Sequence, residues 1–282
     1  MNKYKITAKI NDENKVPYIT FDIFDECKFI KHGFSTRQGG VSKGCFSSMN
    51  LGFLRGDADE NVLENFRRIC TAIGISYEDL VFTDQVHKDV IRLVGKDDRG
   101  HGITKPKEHF GIDGQITADK DTGLIVFSAD CVPVLLADKK KEVIAAVHAG
   151  WRGTVLKIAA KAVKKMQEEF DSEPSDILAA IGPSICMECY EVSEDVAEEF
   201  KKAYPDTCGQ FLEEKQLNKE NAEKKYQLDL WRANEISLME AGIPKNNIQI
   251  GGLCTKCNPK LFFSHRTMGN DRGSLAGFIE IR

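Results

Sequence analysis

Residues 126–155 read VFSADCVPVLLADKKKEVIAAVHAGWRGTV, and this stretch decides the kind of fold. An apolar run from Leu124 to Phe127 leads into Ser128-Ala129-Asp130-Cys131. A second, Val132 to Ala137, ends in the polar turn Asp138-Lys139-Lys140-Lys141. A third, Val143 to Val147, delivers His148 and then Ala149-Gly150-Trp151-Arg152-Gly153. A strand with one wet face would alternate apolar and polar residues, so continuous runs between polar turns predict strands covered on both faces. Beyond Gly153 the spacing turns helical, with Val155, Ile158, Ala159, Ala162, Val163 and Met166 on one stripe and Thr154 as the expected N-cap. A thiol and an imidazole thus fall at strand ends, beside a glycine-flanked turn that opens a helix. That placement suits a site better than a core.

Working outward, residues 1–31 read as strands at Tyr4–Ile10, Tyr18–Phe24 and Cys27–Ile30. His32 to Ser42 carries Arg37 beside Gly39-Gly40, a loop suited to close backbone approach and to anion binding, or else a glycine hairpin with a solvated Arg. Residues 57–74 predict a helix capped by Asp57 or Asp59 and stopped by Gly74. Leu80 to Leu93 reads as strand, with His87 among apolar neighbours. Residues 95–111 read as an exposed loop or lid with solvated His101 and His109, and Asp113-Gly114 as a turn whose Asp113 could face a site. Further on come a strand at 177–181, an acidic helix at 193–203, a polar loop-rich stretch at 204–225, a helix from Tyr226 to Ala241, and strands at 248–253 and 274–281. No internal repeat or low-complexity linker interrupts the pattern, so one interleaved α/β unit over 1–282 is expected.

The 282 residues can bury a substantial core. A net charge of −4 argues against a nucleic-acid binder. No apolar run approaches the ~20 residues that cross a bilayer, and the start lacks the apolar segment of a signal peptide. The expectation is a cytoplasmic protein, a monomer by default, whose nine cysteines serve as free thiols, ligands or catalytic groups.

Three uses of the thiols compete. His87, Cys131 and His148 form a three-donor N/S set that leaves a fourth metal position open, the pattern of catalytic zinc. Cys186-x-x-Cys189 with Cys254-x-x-Cys257 has the spacing of a closed four-thiolate zinc site, or the two pairs line one cleft. Cys131 with His148 could instead be the nucleophile and base of a cysteine hydrolase.

The chain also resembles a known family, the YfiH-type proteins, once called polyphenol oxidases or laccase-domain proteins and now described as purine nucleoside phosphorylases. The matching stretches are STRQGGVS at 35–42, NLG at 50–52, QVH at 85–87, DGQIT at 113–117, SADCVPV at 128–134, HAGWRGT at 148–154, IGPSIC with CYEV across 181–192, DLW at 229–231, and CT with FFSHR across 254–266. Two stretches depart from the pattern: Asn65-Phe66-Arg67 stands where the family usually has Asn-Arg, and Ser264-His265-Arg266 where it often has Ser-Tyr-Arg.

The resemblance implies an α/β (α+β) fold in a layered α/β/β/α arrangement with mixed sheets. It implies a catalytic zinc on His87, Cys131 and His148. The expected catalytic residues are Cys131, His148 and Asp130, the last by its place beside Cys131 as a proton carrier or partner of the ligands. Arg37, Asn50, Arg67 and Arg152 are the expected substrate- and phosphate-binding residues, Arg37 foremost. The implied activity is phosphorolysis of adenosine, inosine, guanosine and methylthioadenosine to base and sugar 1-phosphate, with hydrolytic deamination of adenosine. Copper-dependent phenol oxidation is the alternative; Cu²⁺ outcompetes Zn²⁺ at many N/S sites whatever the native metal.

Overall fold

Strands β8 (Val132–Asp138) and β9 (Val143–Ala149) pair antiparallel at the centre of the molecule, with every residue of both buried. Their turn is closed by Asp138, whose carboxylate accepts hydrogen bonds from the backbone N–H groups of Lys140 and Lys141. The computed structural model describes residues 3–12, 15–53, 55–215 and 223–282.

In chain order the other strands are β1 (Lys9–Asn11), β2 (Tyr18–Thr20), β3 (Ile30–Ser35), β4 (Leu80–Val81), β5 (Ile91–Leu93), β6 (Gly114–Thr117), β7 (Gly123–Ser128), β10 (Ile177–Ile181), β11 (Glu191–Ser193), β12 (Leu212–Lys215), β13 (Lys225–Leu228), β14 (Ile248–Ile250) and β15 (Leu275–Ile281). The helices are α1 (Asp59–Ile73), α2 (Trp151–Val155), α3 (Ile158–Phe170), α4 (Glu194–Ala203), α5 (Leu230–Glu240) and α6 (His265–Met268). One six-stranded sheet runs β1-β2-β3-β15-β7-β4, a second β14-β10-β8-β9-β6-β5, and a small third β11-β13-β12. The two large sheets are mixed: β4/β7, β5/β6 and β10/β14 are parallel, the other pairs antiparallel.

The pleat explains the continuous apolar runs. On β8 and β9, Val134, Leu136, Ala145 and Val147 face α3 and α5, where Ala162, Val163, Met166 and Trp231 wait; Leu135, Ala137, Ile144 and Ala146 face the other sheet. There they meet Phe34, Leu124, Val126 and Ile279. The outer face of that first sheet, with Ile125 and Phe278, packs on Val62, Phe66 and Ile69 of α1. The order is helix, sheet, sheet, helix, the layered arrangement expected. Truncating a side chain such as Leu136 in the middle layer to Ala would cost roughly 2–5 kcal/mol.

Several local expectations are corrected. The N-terminal strands are shorter than their apolar patterns; Asp22–Glu26 is a single 3₁₀ turn. The N-cap of α1 is Ala58, and Asp57 instead binds Asn50 and Asn61. The helix expected from Thr154 to Phe170 begins at Trp151 and breaks at Lys157, which takes a left-handed conformation (φ 55°) between α2 and α3. Thr154 lies inside α2, donating to the carbonyls of Ala149 and Gly150. Tyr226–Leu228 belongs to β13, because β11 and β12 bracket it on both edges. Asp229 accepts from the Arg232 N–H and starts α5 one residue on. Of the loop-rich stretch at 204–225, Leu212–Lys215 is strand, and residues 216–222 lie outside the described residues. No described helix is long and apolar enough to cross a membrane.

Candidate active site

The topology brings four chemistry-bearing residues to one end of adjacent strands. β7 belongs to the first sheet and β8 to the second, so residues 129–131 form the corner between sheets; Asp130 makes the bend at φ 88°, and Cys131 emerges just before β8. On the neighbouring strand His148 pairs in register with Pro133 near the end of β9. Next to β9 lies β6, and Asp113 immediately precedes it, its carbonyl accepting from the His148 N–H at 2.7 Å.

Asp113 organises the rest. Its Oδ1 lies 2.8 Å from His148 Nδ1, leaving Nε2 of that ring for the cavity. Its two carboxylate oxygens also accept from the backbone N–H groups of Val86, His87 and Lys88 at 3.2, 2.9 and 2.9 Å. The expected strand around His87 is therefore a loop wrapped on a buried carboxylate. His87 is exposed, at φ 61°, and presents its Nε2 3.8 Å from Cys131 Sγ. The rings of His87 and His148 meet edge to face with centroids 4.8 Å apart.

These donors fit a metal ion. One atom each from His87, Cys131 and His148 lie within 4.8 Å of one another. Tetrahedral bonds of about 2.3 Å to sulfur and 2.1 Å to nitrogen would put S and N ~3.6 Å apart, close to the 3.8 Å seen. Gly150 leaves the room: a Cβ there would lie 3.0 Å from His87 Cδ2 and 3.1 Å from Cys131 Sγ. An imidazole whose far nitrogen is held by a carboxylate is the usual partner arrangement of a metal-binding histidine. Burial pushes the Cys131 thiol up, but His148 and then His87 outweigh it and bring it down to about 6. Burial pulls His148 down, and the Cys131 sulfur and Asp113 raise it to about 9.

A cavity of about 460 Å³ opens over the trio, inside the range of roughly 300–1,000 Å³ typical of small-molecule sites. Phe53, Phe82 and Phe127 form one wall, with ring centroids 5.2 Å apart for Phe82 and Phe127. Arg55, Lys107 and Arg272 supply cations. Arg272 is buried, donates to the Gly273 carbonyl and leaves its Nε without a partner among the described residues. Burial and the charge of Arg55 pull its guanidinium down to about 10. A smaller cavity of about 270 Å³ lies beside Cys131 and is lined by Arg152, Tyr190 and Arg266 among others.

The expected binding residues are dispersed. Arg37 lines a separate open depression; its guanidinium donates to the carbonyls of Ser47 and Pro259 and lies 4.5 Å from the Phe263 ring centroid, so it closes a loop. Arg67 sits on the exposed side of α1 beside Glu64 and Tyr77. Asn50 is buried beneath the cavity, where it accepts from Gly52 and Ser274 and donates to Asp57. Arg152 lines the smaller cavity, stacked on Trp151. Asp130 accepts from Thr255 Oγ1, Ser264 Oγ and the Arg266 N–H, at 2.6, 3.0 and 2.6 Å; its carboxylate ties the sheet corner to the 255–266 segment. His109 is not solvated: it is fully buried against Asp98, with His101 packed on it. Sequence reasoning missed Arg55, Lys107 and Arg272, which carry no motif of their own and reach the cavity from three separate segments.

This donor set at the meeting edge of two sheets makes a candidate metal site in an α/β fold, and the chain belongs to the family described as multi-copper polyphenol oxidoreductase laccase, whose model matches residues 31–282. It is 36% identical over 251 residues to purine nucleoside phosphorylase YlmD of Bacillus subtilis, covering 89% of this chain and 88% of that protein. It is 34% identical over 242 residues to adenosine deaminase RL5 of an unknown prokaryotic organism, covering 85% and 90% respectively. The crystal structure of hypothetical protein YfiH from Bacillus licheniformis superposes with a TM-score of 0.88 at 31% identity, covering 97% of this chain and 99% of that one.

Proposed function

We propose that this chain is a zinc-dependent purine nucleoside phosphorylase acting on adenosine, inosine, guanosine and methylthioadenosine, with adenosine deaminase activity. The observation that carries the reading is a nucleoside-sized cavity with an aromatic wall, a cationic wall and a His-Cys-His donor set in its floor. The names of the relatives supply the substrate class.

In this reading Phe53, Phe82 and Phe127 stack on the purine, and Arg55 and Arg272 hold phosphate through charge-assisted hydrogen bonds. Phosphate attacks C1′ of the sugar; the C1′–N9 bond breaks, and the base leaves with the bonding pair and takes up a proton. Zinc held by His87, Cys131 and His148 would supply Lewis acidity at the floor of the cavity. Asp113 keeps His148 in the tautomer that aims Nε2 at the site, and Gly150 keeps the space between the donors clear. Asp130 acts as a bracket for the adjoining wall. The protein works as one unit over residues 1–282, as a cytoplasmic monomer without nucleic-acid or membrane partners.

The Cys131–His148–Asp113 chain also supports a second reading, a cysteine hydrolase with a thiolate–imidazolium pair. One experiment separates the readings: adenosine incubated with zinc-replete protein, with and without phosphate, and resolved by chromatography. Adenine that appears only with phosphate, and inosine in either sample, is the expected result. No product at confirmed metal content would overturn the proposal, and phenol oxidation after copper loading in its place would favour the oxidase alternative.

A further inference from the structure

The nine thiols are all free, and four of them converge at a second place. Cys186 precedes and Cys189 ends the turn Met187–Cys189 after β10; Cys254 and Cys257 lie at the two ends of the turn after β14. β10 and β14 are parallel neighbours, and their extensions stay in step: Ser184 N–H donates to the Leu253 carbonyl at 3.3 Å and Thr255 N–H to the Ser184 carbonyl at 3.1 Å. That pairing sets the two Cys-x-x-Cys turns face to face, although nearly seventy residues separate them in the chain. Cys189 Sγ lies 3.4 Å and Cys186 Sγ 3.9 Å from Cys257 Sγ, and all four sulfurs lie within 4.8 Å of one another.

Four sulfurs bound to one zinc at about 2.3 Å would stand ~3.8 Å apart, in the middle of this range. A disulfide needs sulfurs at about 2.05 Å, and no pair is that close. The backbone N–H groups of Cys186 and Cys257 both point at Cys254 Sγ, at 3.3 and 3.4 Å. Two donors on one sulfur stabilise a thiolate, the form a metal ligand must take. Cys186 and Cys254 are buried, Cys189 is half-buried and Cys257 exposed, so the cluster reaches the surface, and none of its four cysteines lines either cavity beside Cys131.

We infer that Cys186, Cys189, Cys254 and Cys257 form a closed tetrathiolate zinc site, separate from the His87–Cys131–His148 trio and independent of the activity proposed for it. Its place in the fold gives it a task. One turn continues to Tyr190, the other to Thr255 and on to Arg266; Thr255 and Arg266 hold Asp130, and Arg266 lies over the Tyr190 ring. The ion clamps the two segments that form the wall beside Cys131.

The test is metal analysis of the full chain purified under reducing conditions without added metal. The Cys131→Ala protein, which lacks the central ligand of the trio, should retain about one zinc per chain. Adding Cys189→Ser and Cys257→Ser should remove it, whereas adding Cys45→Ser, an exposed cysteine elsewhere, should not. The zinc difference between wild type and Cys131→Ala reports on the trio alone, so the two sites stand or fall separately. Should the triple variant fail to fold, cobalt exchange of the Cys131→Ala protein decides: intense thiolate-to-cobalt absorption in the near ultraviolet is expected. A metal-free Cys131→Ala protein with no such band, iron in place of zinc, or a Cys189–Cys257 disulfide found on thiol titration of freshly purified protein would each overturn the inference.

Discussion

Replacing Asp113 by Asn tests the organisation of the site with a change of one atom. The carboxylate serves four donors: His148 Nδ1 and His87 N at Oδ1, Lys88 N and Val86 N at Oδ2. An Asn side chain offers one carbonyl oxygen and one NH₂. With its oxygen toward His148, the NH₂ faces the N–H groups of Val86 and Lys88; flipped, it faces His148 and His87. Either way two donors lose their acceptor, and His148 loses the negative charge behind it. Burial alone would raise the Asp113 carboxyl, but hydrogen bonds from His148, Lys88 and Val86 outweigh it and hold it below the ordinary carboxylate range. Its stabilisation is therefore present above the unfolded-state value and lost only as pH falls through the depressed one. Loss of such a partner typically weakens a metal site ~10–100-fold, about 1.4–2.7 kcal/mol. The two orphaned donors should lower stability of the metal-free protein by a further ~2–6 kcal/mol. Chelator competition measures the first quantity and denaturant unfolding at neutral pH the second. An Asp113→Asn protein with wild-type metal affinity and unfolding midpoint would refute the claim that this carboxylate holds both histidines.

Three other perturbations follow from the structure. Arg272→Ala should raise the KM for phosphate ~10–100-fold, the loss of a charged hydrogen bond. Arg37→Ala should leave that KM alone and lower stability by ~1–3 kcal/mol, because two carbonyls lose their donor; steady-state kinetics against phosphate with parallel melts would show the reverse if Arg37 were the anion site. Glu280 is buried on β15 with one oxygen unpaired among the described residues; burial first, then Asp79 and Asp121, lift its carboxyl to about 7. Because the folded value is raised, the cost is absent below the unfolded value, builds as pH climbs toward 7 and is constant above. The difference converts to roughly 3 kcal/mol, so Glu280→Gln should gain up to that much at pH 8 and nothing near pH 4; an equal gain at both pH values would contradict it.

The sequence by its pattern marked the central layers and the candidate donors. Apolar runs without alternation can be buried only between two faces, and β8 and β9 are buried along their whole length for that reason. Cys131 and His148 were legible because polar, reactive residues stand abruptly at the ends of those runs. The paired Cys-x-x-Cys spacing was legible too, but not that the two turns meet, which depends on the parallel pairing of β10 with β14. Tertiary structure decided what spacing does not encode. Tyr226–Leu228 has a helical apolar pattern yet is strand, since strands on both sides supply its hydrogen bonds. Arg37 stands in a glycine-rich loop that invites an anion, yet backbone carbonyls brought from elsewhere in the chain satisfy it. Arg55 and Arg272 have no local signature, because a cavity cation is defined by what surrounds it after folding. Asp113 shows the division most clearly: the sequence placed it in a turn, and only the adjacency of β6 and β9 turned that turn into the support of both histidines.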